Sequence, residues 1–109
     1  MSKNQKLVAQ ISLVADELGL ESRAMDGAQF WVNSEDFDLE SEIKSRLKFE
    51  FDSHKLCFKS DTLEYPYIET QLSVVLDDEE VGYYVLYSLL DGEAVDDALV
   101  ITDEELKYS

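Results

Sequence analysis

The sequence predicts an α+β domain, with an N-terminal helix packed on an antiparallel meander sheet of four to five strands. Three observations carry that prediction. Residues 81–90, V-G-Y-Y-V-L-Y-S-L-L, form the most apolar and aromatic run, with apolar groups on both alternating faces, as in a strand covered from both sides. Leu7, Ile11, Val14 and Leu18 recur at helical spacing near the start. Between and after these lie short runs of period-two alternation broken by turn residues. A chain of 109 residues is one domain, spanning 1–109.

Ser2 or Asn4 caps the first helix, which runs to about Leu18. Val8 and Ala15 widen its apolar stripe, and Lys3, Lys6, Gln10 and Glu17 lie opposite. Gly19 stands where a C-cap glycine belongs. Leu13 falls on the polar side and is read as a singly exposed leucine. Residues 20–25 are irregular, Asp26-Gly27 is a turn signal, and 28–32 (A-Q-F-W-V) reads as a short strand. The acidic stretch 33–42 is either a loop or a short helix capped by Ser34, with Phe37 as its anchor.

Next, Leu47, Phe49 and Phe51 alternate with Arg46, Lys48 and Glu50 in 43–52, as in a half-buried strand. Asp52-Ser53-His54 reads as a turn, and 55–59 returns to close a β-hairpin. Ser60-Asp61-Thr62 ends that hairpin, and Pro66 precedes the next strand. In 67–76, Ile68, Thr70, Leu72 and Val74 form one face; Glu69, Gln71 and Ser73 form the other. Asp77-Asp78-Glu79-Glu80 leads into the central strand, and Asp91-Gly92 turns out of it. Residues 94–97 begin either a last strand or a short helix, and the β-branched content of 98–101 favours strand. The tail 103–109 is polar, with one helical turn begun by Thr102. A helix layer on one side leaves the second sheet face open. The alternation assigns Tyr84, Leu86 and Val75 to that face, covered by the acidic segment or by another chain.

Charge bounds the function classes. With 25 acidic and 9 basic residues the formal net charge is −16, enough to strain the compact state by self-repulsion. The acidity serves either solubility or the attraction of a basic partner. It argues against direct contact with nucleic acid, whose phosphates would be repelled, and against anionic membrane surfaces. The N-terminal M-S-K-N-Q-K lacks the apolar core of a signal peptide, no run reaches membrane-spanning length, and Cys57 is the single cysteine. A reducing, cytoplasmic setting is the expectation.

Little in the sequence points to catalysis. One histidine and one cysteine leave no set for a zinc site, and the acidic loops do not match calcium-loop spacing. His54 lies three residues before Cys57, yet a turn histidine and a strand thiol are ordinary packing groups. There is no phosphate-binding glycine loop. The expectation is a protein that is not an enzyme and has no metal or cofactor.

The acids are more informative. Sixteen of the 25 fall in four groups, 35–42, 77–80, 91–97 and 103–105, all in connections or the tail. Five of the nine basic residues lie between Lys44 and Lys59. Tyr65, Tyr67, Tyr83, Tyr84 and Tyr87 lie near acidic connections, and tyrosine beside carboxylate suits recognition of a basic protein surface. The candidate partner-binding residues are Asp77, Asp78, Glu79, Glu80, Tyr84, Asp91, Glu93, Asp96 and Asp97.

The run G-Y-Y-V-L-Y-S-L-L-D-G-E-A-V-D-D, with the chain's size and acidity, resembles the bacterial immunity proteins of contact-dependent growth inhibition and related polymorphic toxin systems. The resemblance implies a monomer or weak homodimer that neutralises a cognate basic toxin, often a nuclease, by tight 1:1 binding over its active site. Two other readings stand beside it. A secretion chaperone would hold an effector segment as a dimer; a nucleic-acid mimic would imitate phosphates with carboxylates.

Overall fold

In a computed structural model of the chain, described for residues 3–58 and 65–107, helices cover one face of a four-stranded antiparallel sheet. The α+β meander is therefore present, with strand order β1-β2-β3-β4. Its helical layer holds two helices where the sequence reading placed one. Helix α1 spans Lys3–Leu18, and α2 spans Leu20–Asn33. Gly19, at φ 64 and ψ 37, breaks them apart in the left-handed region that glycine enters without a Cβ clash.

The reading of Asp26-Gly27 as a turn and 28–32 as a strand is overturned: both lie inside α2. Leu20, Ala24, Ala28 and Val32 recur every fourth residue, and all four are buried against the sheet. Burial of that stripe outweighs the helix cost of one glycine, which is about 1 kcal/mol against roughly 1.5–3 kcal/mol for each large apolar side chain buried. Gly27 itself is needed for clearance. A Cβ there would collide with the Tyr84 hydroxyl beneath it.

The predicted hairpin over 43–59 is also overturned. Helix α3 covers Ser41–Arg46, and β1 runs unbroken from Lys48–Cys57. Its partner throughout is β2, Tyr67–Leu76. The apparent turn at Asp52-Ser53-His54 is a bulge, where the register slips between Phe51 and Ser53. The slip keeps Phe49, Phe51, His54 and Leu56 on one face although their spacing breaks strict alternation. The end predicted at Ser60-Asp61-Thr62 lies outside the described residues.

Strand β3 spans Glu79–Leu89 and β4 spans Ala94–Ile101, so 94–97 is strand. The 77–80 connection shrinks to the two residues Asp77 and Asp78, at φ 51 and 68, with Leu76 paired to Glu79. Positive φ at both central residues is the mark of a type I′ hairpin turn. A short helix α4, Glu104–Lys107, ends the described chain, and the Asp103 carboxylate accepts the Leu106 N–H at 3.0 Å.

Cross-strand pairs assign the faces. The helix side of the sheet carries Phe49 and Leu56 of β1, Ile68, Thr70, Leu72 and Val74 of β2, Tyr84, Leu86 and Ser88 of β3, and Leu99 and Ile101 of β4. Ala24, Ala28, Leu72, Tyr84 and Leu86 pack together; Val32, Leu47, Val74, Val81 and Leu106 form a second group; Ala15, Leu20 and Ile68 form a third. Tyr84 and Leu86 therefore do not lie on the open face. The open face carries Tyr67, Glu69, Gln71, Ser73 and Val75, then Tyr83, Val85 and Tyr87, then Asp96, Ala98 and Val100.

Candidate binding surface

Strand direction sorts the predicted site residues to different places. In the meander, Lys48 pairs with Val75, Leu76 with Glu79, and Gly82 with Ile101. The start of β1, the β2–β3 turn and the end of β4 therefore meet at one end of the sheet. Asp77, Asp78, Glu79 and Glu80 are exposed there. So are Glu104 and Glu105, held close because the Thr102 and Asp103 N–H groups both donate to the Val81 carbonyl, at 2.9 and 3.2 Å. The acidic 33–42 segment is anchored at this end by Phe37 and Leu39, which pack on the Val32, Leu47 and Val81 group.

Asp91 and Glu93 lie at the other end, after β3. From Glu80 to Leu89 the strand covers roughly 30 Å at ~3.3 Å per residue. The predicted residues are thus not one patch. Asp91 is occupied locally, accepting the Glu93 N–H at 2.9 Å to close the turn. The Arg23 guanidinium donates to the Gly92 carbonyl at 2.6 Å and ties that turn to α2.

Tyr84 and Asp97 are a structural joint. The Tyr84 hydroxyl donates to Asp97 Oδ2 at 2.8 Å, and the Trp31 indole N–H donates to the same oxygen at 3.0 Å. One carboxylate of β4 thereby holds a core tyrosine of β3 and a tryptophan of α2. Burial, then the hydrogen bond and the charge of Asp97, push the Tyr84 hydroxyl far above the usual tyrosine range. Tyr84 is fully buried, so it presents no surface to a partner.

The acidic end has relief as well as charge. Leu76, Val81 and Leu106 line a hollow of about 250 Å³ rimmed by Asp77, Glu79, Asp103 and Glu105. An apolar floor with a carboxylate rim suits a lysine or arginine side chain, whose stem is apolar and whose head is charged. Two nearby cations are engaged within the chain, while Lys48 is exposed beside Asp77 and Asp78. Arg46 pairs with Asp77 at 2.9 Å, and the Lys44 ammonium donates to the Ser34 carbonyl at 3.2 Å while lying 5.5 Å from the Phe37 ring centre.

His54 and Cys57 lie on opposite faces of β1. His54 pairs across to Thr70 on the helix side, with Nδ1 2.9 Å from Thr70 Oγ1; Cys57 pairs to Tyr67 on the open side, its thiol 3.7 Å from Glu69 Oε2. The two cannot act on one substrate. Among the described residues no cluster of three or more His, Cys, Asp or Glu is arranged to hold a metal ion. No helix among them is long and apolar enough to cross a membrane.

Two features escaped the sequence reading. Glu104 and Glu105 join the 77–80 group only because the β4 end returns beside the β2–β3 turn. Glu69 and Asp96 flank Tyr87 from the two neighbouring strands, a juxtaposition set by register. Comparison with protein-family models, with curated proteins and with solved structures finds no match to this chain.

Proposed function

We propose that the chain is a non-catalytic acidic binding protein that neutralises a cognate basic protein, a toxin of nuclease type, by 1:1 association over its active site. The observation that carries this reading is the acidic end of the sheet, where Asp77, Asp78, Glu79, Glu80, Glu104 and Glu105 are exposed around an apolar-floored hollow. Such a field speeds encounter with a basic surface and selects against acidic ones. The hollow supplies the concave, partly apolar contact that steering alone lacks.

The test begins with a tagged pull-down from native lysate at low and high salt. One stoichiometric basic partner that survives high salt supports the reading; no partner at all sinks it. The substitutions must respect the turn. Asp77 and Asp78 hold positive φ, and Asp77 also pairs with Arg46, so exchanging these two for residues such as glutamine that tolerate positive φ poorly disturbs the hairpin. Glu79, Glu80, Glu104 and Glu105→Gln removes charge from exposed positions without that disturbance. We expect the quadruple variant to fold and to associate with the basic partner roughly ten-fold more slowly at low salt. Unchanged association kinetics would reject the acidic end as the steering surface.

A second reading, a dimeric secretion chaperone, is favoured by α1. Leu7, Val8 and Leu13 of α1 are more than half exposed, while Val14, Ala15 and Leu18 near its end pack on the body. Sedimentation decides between the two. A tight dimer holding clients through α1 supports the chaperone, and a monomer supports the neutraliser.

A further inference from the structure

The side chains buried by α1, α2, α3 and α4 all pack on one face of the sheet. The other face carries an aromatic platform on its two inner strands, toward the end opposite the acidic turn. Tyr87 and Tyr67 meet edge to face, with ring centres 5.8 Å apart. In register, Glu69 of β2 stands directly opposite Tyr87 on one side, and Asp96 of β4 stands directly opposite on the other. Directly paired residues place their Cβ atoms about 5 Å apart, so the Tyr87 ring lies between two carboxylates within reach of a single cation. Asp96 is exposed, and Tyr87 and Glu69 are half-buried. Burial and then the negative neighbours, Glu69 foremost, raise the Tyr87 hydroxyl above its usual value, as expected where the local field is negative.

We propose that this open face is where the basic partner docks, with an arginine guanidinium of that partner lying over the Tyr87 ring between Glu69 and Asp96. The inference rests on the binding-protein reading and names the contact at which binding is specific. Charge complementarity selects a cation, and the aromatic face selects its shape. A guanidinium is planar, stacks on a ring and donates to carboxylates in a fork; an ammonium does none of these as well. Ala98, next to Tyr87 across on β4, adds half-buried apolar surface beside it, and Val85 is buried next to them. Lys55 faces Glu69 from β1 and competes for that carboxylate. The acidic end then steers the partner and offers its hollow as one contact, and the Tyr87 platform supplies the contact that selects arginine.

The test titrates a hexa-arginine peptide, and separately a hexa-lysine peptide, into the isotopically labelled full chain, following backbone amide shifts. The expected result is saturable shifts centred on Glu69, Tyr87 and Asp96, with arginine bound at least roughly three-fold more tightly than lysine. Tyr87→Leu weakens arginine binding roughly five-fold with the fold intact by circular dichroism. Lys55→Gln tightens it, because a competing cation is removed. Shifts confined to 77–80 and 103–105 would overturn the docking site while leaving the acidic binding-protein reading in place. Equal affinity for the two peptides would overturn the guanidinium assignment. No saturable binding of either peptide at low salt would remove both.

Discussion

Tyr84 shows what one residue does for this fold. Its ring fills the space under Gly27, and its hydroxyl is satisfied by Asp97 at 2.8 Å. Tyr84→Phe keeps the ring and leaves Asp97 bound only by Trp31, for a loss of about 1 kcal/mol in urea unfolding. The pH dependence has a definite sign. Burial and Asp97 raise the folded hydroxyl above its unfolded value near 10, so the neutral form is favoured by folding. That stabilisation is complete below pH 10 and is lost as pH rises beyond it. Wild type therefore loses more stability than Tyr84→Phe between pH 9 and 11, and equal losses would show that the hydroxyl ionises over the same pH range folded and unfolded. His54 gives the acid-side counterpart. Burial holds its imidazole below the ordinary 6.5, against the opposing pull of Asp16 and Glu21. The neutral form is again favoured by folding, so this contribution is present above pH 6.5 and is lost as pH falls below it. The difference in urea midpoint between wild type and His54→Gln should shrink from pH 7.5 to pH 5.5.

At the scale of elements, local signals and tertiary burial disagree in two places, and burial wins in both. The stripe from Leu20 to Val32 overrides an Asp-Gly pair that in isolation favours a turn. The bulge at Asp52 hides a ten-residue strand behind a turn-like tripeptide. The first helix, the 67–76 strand and the aromatic central strand were legible because each follows one unbroken period. Leu13 is exposed as expected, but so are Leu7 and Val8, which the same period assigned to the packed stripe, because the sheet and α2 reach only the later turns, at Val14, Ala15 and Leu18. Tyr84 was assigned to the open face for a different reason. Both faces of β3 are apolar, so alternation gives two sets without telling which one a helix covers. The β2–β3 turn carries the prediction that belongs here. Asp78 holds φ 68 in a type I′ turn that prefers glycine at this position. Asp78→Gly should stabilise the chain by about 0.5–1 kcal/mol through relief of the left-handed backbone. Asp78→Asn is the control, since it removes the charge and keeps a side chain tolerant of positive φ. A gain equal in both variants would assign the effect to charge and not to the turn.

For the whole molecule the question is whether a net charge of −16 is spread for solubility or concentrated for binding. The fold brings acids from separate stretches of sequence to one end, where Arg46–Asp77 is the ion pair found among the described residues. That pair is exposed and contributes at most about 1 kcal/mol, so it does little against the surrounding repulsion. Repulsion among exposed charges is screened over roughly 10 Å at 0.1 M salt, so it acts strongly within the acidic end and weakly between it and the rest. Two sets of four neutralising substitutions separate the cases. One set is Glu79, Glu80, Glu104 and Glu105→Gln; the other is Glu17, Glu50 and Glu93→Gln with Asp26→Asn, all at exposed positions spread over the body. Both remove the same charge. If the acidic end is a concentrated field, the first set raises the melting temperature more than the second at 20 mM salt, by a few degrees for ~1 kcal/mol in a domain of this size. That advantage disappears by 0.5 M salt, where the field is screened within the end itself. Equal gains from the two sets would mean that the charge is diffuse and that solubility is its sufficient cause. A larger gain from the first set would mean that the fold tolerates local repulsion at the place where a basic partner would relieve it, the trade between stability and function expected of a binding surface.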